Sequence, residues 1–239
     1  MTNPAKSAYE TFAPGYDEFT SANNYELWLG EILLAELERH GLRHGRVLDV
    51  GCGTGRAFEP LLKRDWEIVG SDISPAMLDR ARAKFGDAVP LTAADMRELP
   101  EFGAFDLVLC LNDAVNYLTE DGDLERAFTR MAANLAPTGL LLFDVNTLGG
   151  FEDMYGAWVE TGGVFERMLE ATGVEPHLHR QRHFTPEQLE SALAAVGLTL
   201  LAMLGQREEG KEILLSPTLD EARDAKIVCI AGVCSVPFR

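Results

Sequence analysis

Residues 47–55 read Val-Leu-Asp-Val-Gly-Cys-Gly-Thr-Gly: an apolar, strand-like run carrying one acid, Asp49, breaks into a loop with glycines at 51, 53 and 55. Alternating glycines permit backbone torsions and a close ligand approach that a Cβ would block. From Thr54 the run TGRAFEPLLKRDW has helical character, so the unit is strand, glycine turn, helix. A dinucleotide-binding turn spaces its glycines G-x-G-x-x-G and seats a pyrophosphate on the helix N-terminus. Here the third glycine comes one residue early, and Arg56 stands where that pattern needs glycine. Asp49 also points away from a pyrophosphate, because a carboxylate at a strand end repels a polyanion and attracts a ligand carrying an ammonium and a sulfonium.

S-adenosylmethionine is a ligand of that kind, and two further acids fall where its other parts need them. EIVGSDI (67–73) reads as a second strand whose Asp72 lies about 20 residues past the glycine loop, the spacing at which a βαβ unit offers an acid to ribose hydroxyls. The spacing suits any adenosine-type ribose. Ser74 and Pro75 then read as N-cap and first helical residue, which leaves Asp72 at the mouth of the sheet. A third strand over 89–93 is followed by Asp95 and Met96, an acid able to accept from an adenine amino group and a side chain able to pack on the ring.

VLDVGCGTGR, VGSDISPAML, AADMRELP, FDLVLCLNDAVNYL and GLLLFDVNT together resemble the successive motifs of class I S-adenosylmethionine-dependent methyltransferases, over about residues 46–146. The resemblance is specific for the cofactor and much less so for the acceptor. It implies that Asp49 and the loop Gly51, Cys52, Gly53 and Gly55 flank the methionine part and that Asp72, with Ile73 beside it, holds the ribose. It further implies that Asp95 and Met96 frame the adenine and that Leu111 and Asn112 pass beside the methionine moiety. Met77, in the helix after Asp72, is counted with the cofactor residues. The expected fold is a Rossmann-like, doubly wound α/β domain: a mostly parallel seven-stranded sheet with the last strand antiparallel, an N-terminal helical cap and a lid insertion.

The elements that must position these residues can be placed in outline. Residues 1–45 form the cap, 46–146 the cofactor-binding core, 147–184 a glycine-punctuated insertion over the acceptor site, and 185–239 a helix and strands completing the sheet. SANNYELWLGEILLAELERH (21–40) has helical spacing and stops at Gly41. EDGDLERAFTRMAANLA reads as an amphipathic helix stopped by Pro137, with GLLLFDV as strand five. TPEQ at Thr185 is a capping box opening a helix that closes at Gly197, and LTLLAML and KIVCIAGV read as the last two strands.

An open α/β sheet binds ligands outside its strand ends, so the acceptor belongs there. Tyr9, Phe12, Tyr16 and Phe19 are spaced like one helix face and could simply dock the cap. Pro14 and Gly15 interrupt that face, which leaves Tyr16 free to meet cofactor or acceptor, and the family resemblance supports this option. Asn112, Asp113, Asn116 and Tyr117 bunch polar groups at the strand-four turn, where turn formation alone would also explain Asn and Asp. Tyr16, Asn112 and Tyr117 are the groups expected to orient the acceptor, with Asp113 a weaker candidate. Alternation would place His177, His179 and His183 on one strand face; no acid or cysteine completes a metal site there, so no metal is expected, and His183 is left as an acceptor contact or base.

Methyl transfer is an in-line displacement that asks chiefly for alignment and exclusion of water. With no His-Asp pair or metal set to activate a hydroxyl, an amine nitrogen is the expected acceptor, its neutral form favoured by desolvation. The openings YELWLGE and LNDAVNYL are similar to bacterial small-molecule methyltransferases, including N-methyltransferases of antibiotic tailoring. O-methylation and non-catalytic cofactor binding stay open. The formal net charge of -17 argues against nucleic acid as partner and for a small neutral or cationic acceptor. No apolar run approaches membrane-spanning length and the N-terminus lacks signal-peptide character, so a cytoplasmic protein is expected. Cys52, Cys110, Cys229 and Cys234 form no C-x-x-C pair and read as buried reduced thiols. Self-association is left open.

Overall fold

Alternating apolar residues in successive strands force two cores, one on each face of a single sheet. In the computed structural model, which describes residues 3–153, 158–209 and 212–233, the chain runs β1 (Arg46–Val50), β2 (Glu67–Asp72), β3 (Leu91–Ala93), β4 (Phe105–Cys110) and β5 (Leu135–Asn146). It continues with β6 (Val159–Thr161), β7 (Val164–Ala171), β8 (Val174–Arg182), β9 (Leu198–Glu209), β10 (Glu212–Ser216) and β11 (Lys226–Val233). Leu107 and Leu109 of β4, Leu140 and Leu142 of β5, and Val228 and Ile230 of β11 face one core. Val108 and Cys110, Leu141 and Phe143, and Ile227 and Cys229 face the other. Each fully buried leucine or valine contributes about 2 kcal/mol by leaving water. A one-residue slip would exchange the two faces throughout a strand, so this alternation fixes register.

Helices cover both faces. α1 (Pro4–Phe12) and α2 (Tyr16–Phe19) begin the cap; a wide π-helical segment, Glu26–Leu33, runs into α3 (Leu34–Arg39). Leu29, Leu33 and Leu37 from this stretch pack on the first core with Phe58 and Leu61 of α4 (Phe58–Leu62) and Leu78 of α5 (Pro75–Phe85). α6 (Asp123–Ala132) and α8 (Pro186–Ala195) bury Phe128, Met131, Leu189 and Leu193 on the second. α7 (Leu148–Asp153) follows β5.

The sheet order is β10-β9-β11-β5-β4-β1-β2-β3. From β5 to β3 every pairing is parallel, and β11 is antiparallel to both β5 and β9. The expected doubly wound sheet is therefore present, with eight strands where seven were expected. The additional strand is β10, which pairs antiparallel with β9 as a hairpin; its five residues, EILLS, carry too short a pattern to separate from the preceding strand. The chain winds outward from β1 to β3 and returns on the other side at β4, which opens a crevice between β1 and β4 at the strand ends.

Several local expectations shift. The helix read from Thr54 starts at Phe58, because Gly51, Gly53 and Gly55 all adopt positive φ and keep the intervening chain in turns. Pro137 lies inside β5, not after a helix: α6 ends at Ala132, and Pro137 sits in the exposed, irregular start of the strand where no ladder donor is required. The insertion holds α7 and a separate antiparallel sheet, β6-β7-β8. On β8, His177, His179 and Gln181 are buried while Leu178 is exposed; His183 lies past the strand end, so two of the three histidines share the face expected of all three. The capping box joins Thr185 and Gln188, and Ser74 caps α5 by accepting from the Met77 N–H. Cys52, Cys110 and Cys229 are buried free thiols, and Cys234 lies outside the described residues. Among the described residues no helix is long and apolar enough to cross a membrane.

Candidate active site

The ends of β4, β1, β2 and β3 set four groups in a row: Leu111 and Asn112, then Asp49, Asp72 and Asp95. Three strand spacings span about 14 Å. One cavity runs along this row, lined by Asp49, Gly51, Cys52, Gly53, Asp72, Ile73, Asp95, Met96, Leu111 and Asn112, and closed from above by Tyr9, Tyr16 and Tyr25 of the N-terminal segment, with Tyr117 alongside. These include nearly all the cofactor residues read from the sequence. Gly55 and Met77 do not line it. At Gly55, with φ +78°, a Cβ would stand 2.7 Å from Phe58, so its bareness serves packing beneath the loop. Met77 is fully buried with Phe12 and Leu169, joining α5 to the cap and the small sheet.

Asp72 is the anchor of the glycine turn. Its carboxylate accepts from the Gly53 N–H and the Ser74 N–H, each at 2.8 Å. Burial nevertheless raises its pKa to about 6, against the lowering effect of those amides. Asp49 is raised to about 7 by burial and by the neighbouring Asp72 charge, with no basic group pulling it down. Two desolvated acids without a counter-cation are what a cationic ligand would relieve, so the donor set fits the ammonium and sulfonium of S-adenosylmethionine. Asp95 differs: against the upward push of burial, Arg97 holds its carboxyl below the usual range, through 3.0 Å and 2.6 Å contacts from Nε and a terminal nitrogen. Asn3 donates to the same carboxylate, fastening the start of α1 to the end of β3.

Sequence reading missed the devices that hold the roof in place. Arg56, from the glycine turn, donates to Thr20 Oγ1 at 3.0 Å and to the Asn23 carbonyl at 2.8 Å, and its guanidinium lies 4.9 Å from the centre of the Tyr25 ring. Thr54 Oγ1 donates to Asp17 at 2.6 Å, and Lys84 reaches the same carboxylate. Asn112 Nδ2 donates to the Tyr25 hydroxyl. An Arg in a glycine loop signals little from spacing alone, since its partners are more than 30 residues away. Arg56→Ala should loosen residues 3–25: faster proteolytic cleavage of that segment in the empty protein and about tenfold weaker cofactor binding are expected.

A second cavity of about 660 Å³ adjoins the first. Tyr9, Tyr16, Tyr25, Asn112 and Tyr117 border both. Its outer wall comes from Trp28, Trp158, Arg167, Leu169, His179 and the β9–β10 hairpin. Thus Tyr16, Asn112 and Tyr117, the expected acceptor-orienting set, all stand where the two cavities meet. His179 lines the second cavity; His183 does not, and its Nε2 lies 3.2 Å from Glu221. The Tyr9 ring packs edge-on against that of Tyr117, with centroids 5.2 Å apart, and the Tyr117 hydroxyl lies 2.5 Å from His179 Nδ1. Burial pushes the Tyr9, Tyr16 and Tyr117 hydroxyls well above the ordinary tyrosine value, so they remain protonated. Burial and the neighbouring His177 push His179 down to about 3. Among the described residues no three His, Cys, Asp or Glu side chains group together as a metal site.

With this geometry in view, comparison with known proteins is decisive for the class. The family described as "Methyltransferase domain" matches residues 47–139. The chain is 37% identical over 219 residues to "Putative methyltransferase YqeM" of Bacillus subtilis (strain 168), covering 80% of this chain and 87% of that one. It is 31% identical over 200 residues to the dTDP-3-amino-3,6-dideoxy-alpha-D-glucopyranose N,N-dimethyltransferase of Streptomyces fradiae, covering 72% and 77%. A "Putative methyltransferase" of Geobacillus sp. (strain WCH70) aligns over 145 residues at 38% identity, taking in 58% of each chain. The crystal structure of an S-adenosylmethionine-dependent methyltransferase from Clostridium acetobutylicum ATCC 824 superposes with a TM-score of 0.72 at 20% identity, over 94% of this chain and 98% of that one. The chain belongs to the S-adenosylmethionine-dependent methyltransferases, with their Rossmann-like fold.

Proposed function

We propose that this methyltransferase transfers its methyl group to the nitrogen of a small amine. The observation that carries the reading is that, among the described residues, no group where the two cavities meet is fit to deprotonate a hydroxyl; Glu208, a further carboxylate on the acceptor cavity, is exposed on β9 and lies off the cofactor cavity. The tyrosines are held protonated, and His179 is pushed down to about 3 and is a weak base. Asp113 is tied up by Lys226 at 3.2 Å and by Gln181 at 2.5 Å. An amine brings its own lone pair and needs only desolvation and aim. Bound S-adenosylmethionine supplies a methyl carbon already activated by the sulfonium. The chain's own residues do the rest: Asp49 and Asp72 hold the cofactor's charge and ribose, Asp95 and Met96 its adenine, and the tyrosines exclude water. Tyr16, Asn112 and Tyr117 orient the nitrogen. The amino-sugar acceptor in the name of the Streptomyces fradiae relative supports nitrogen as the target.

The test is conversion of S-adenosylmethionine to S-adenosylhomocysteine over panels of amines and of hydroxylated, nitrogen-free metabolites, with mass spectra locating the methyl. Turnover confined to amines is expected. Within an amine series the rising pH limb should track each acceptor's own pKa. The second reading, O-methylation, draws on one observation: Asp113, its carboxyl pushed up by burial, borders the acceptor cavity. Turnover confined to hydroxyl acceptors, with a pH limb independent of the acceptor, would replace the first reading with the second.

A further inference from the structure

Asn112 and Asp113 are consecutive non-glycine residues with φ of 58° and 54°, at the end of β4 where the two cavities meet. L-residues rarely adopt that backbone region, and two in succession must be held from outside. The holder is Asp144, in the adjacent strand β5. Its carboxylate accepts from the Asn112 N–H at 3.1 Å on Oδ2 and from the Asp113 N–H at 2.5 Å on Oδ1, so each oxygen pins one amide of the turn. Asp144 is fully buried and borders neither cavity. Lys226 of β11 supplies its counter-charge from 3.3 Å, and its ammonium also reaches Asp113 at 3.2 Å.

From this arrangement we infer that Asp144 is a positioning residue for S-adenosylmethionine, acting through the Asn112–Asp113 turn on the methionine end of the cofactor alone. Two parallel N–H groups call for two acceptor oxygens in one plane, which a carboxylate has and an amide lacks: in Asp144→Asn one backbone N–H would face an NH₂ group. The strand order sets which end of the ligand feels the change. Asp95 and Asp72, at the ends of β3 and β2, lie two strands and one strand beyond Asp49, on the side away from β4. The inference rests on the reading that the adenosine lies along β2 and β3 and the methionine part along β1 and β4.

Calorimetric titration with S-adenosylhomocysteine and with methylthioadenosine, which lacks the amino-acid end, separates positioning from general weakening. Asp144→Asn should bind S-adenosylhomocysteine about tenfold more weakly or worse, with methylthioadenosine affinity within about twofold of wild type; its unfolding midpoint should fall with the loss of a buried charge partner, but general destabilisation would not spare methylthioadenosine. Lys226→Met keeps the carboxylate but removes its counter-charge; it should show the same selective loss in weaker form, and it decides the question if Asp144→Asn does not fold. Equal loss of both ligands, or loss of neither, would overturn the inference. Wild-type protein that bound methylthioadenosine as tightly as S-adenosylhomocysteine would overturn the underlying placement of the cofactor instead.

Discussion

Asp72→Ala should reduce S-adenosylmethionine affinity by about a hundredfold or more, because one carboxylate serves two ends. It accepts from the Gly53 and Ser74 amides, so its removal frees the glycine turn from the start of α5. It also faces the cavity, with lone pairs left over for ribose hydroxyls. A hydrogen bond to a charged group contributes about 1.5–3 kcal/mol, and loss of one or two such contacts corresponds to the stated factor. Titration calorimetry measures it directly; affinity within threefold of wild type would remove Asp72 from the cofactor site. The empty variant should remain folded, since the change also removes a desolvated acid.

The second large effect is a pH dependence of cofactor binding. Asp49 and Asp72 have pKa values raised to about 7 and about 6 in the empty protein, in each case chiefly by burial. Both folded values lie above the unfolded carboxylate value of about 4. Their contribution to stability is therefore fully present below pH about 4 and is lost as pH rises through 6 and 7. A cationic ligand prefers the ionised acids, so its affinity has the opposite sign and strengthens over the same window. S-adenosylmethionine should bind about tenfold or more tightly at pH 8 than at pH 5.5, and the rise in unfolding midpoint on adding it should grow with pH. A flat profile between those values would show that neither acid meets the cofactor's charge. Asp95, held low by Arg97, should contribute nothing in this range.

The row of acids and glycines proposed to seat the cofactor was legible because its determinants are local. A strand, three glycines and an acid at each of several strand ends can be read within short windows, and backbone geometry then places them in one row. The same locality explains the two residues that fall outside it: Gly55 satisfies the motif, but its neighbours Phe58 and Phe85 claim the space beside it, and Met77 points into the packing between α5 and the cap. The acceptor half was far less legible. β7 and β8 mix apolar, acidic and basic residues on both faces, with Met168 and Leu178 exposed and His177, His179 and Gln181 buried, so period-two patterning gives no clean signal. The Asp144 clamp, the Arg56 latch and the Tyr117–His179 contact join residues 31 to 62 positions apart. Such contacts are settled by topology, which single-sequence periodicity does not contain. The strand β10 was hidden for a simpler reason: two strands that follow one another closely in sequence look like one longer strand followed by a loop.

The division of labour between the two cavities bears on how such a catalyst can be retargeted. In the proposed reading, methyl donor recognition lies at the ends of the central parallel strands and beneath the N-terminal tyrosines, whereas much of the acceptor wall is appended: the small sheet after β5 and the β9–β10 hairpin. Those appendages can be exchanged, lengthened or resculpted while the donor seat stays intact. A library confined to Trp28, Trp158, Leu169 and Ile213 would therefore sample new clients without forfeiting the reagent, and selection on such a scaffold can diversify what is alkylated far faster than how.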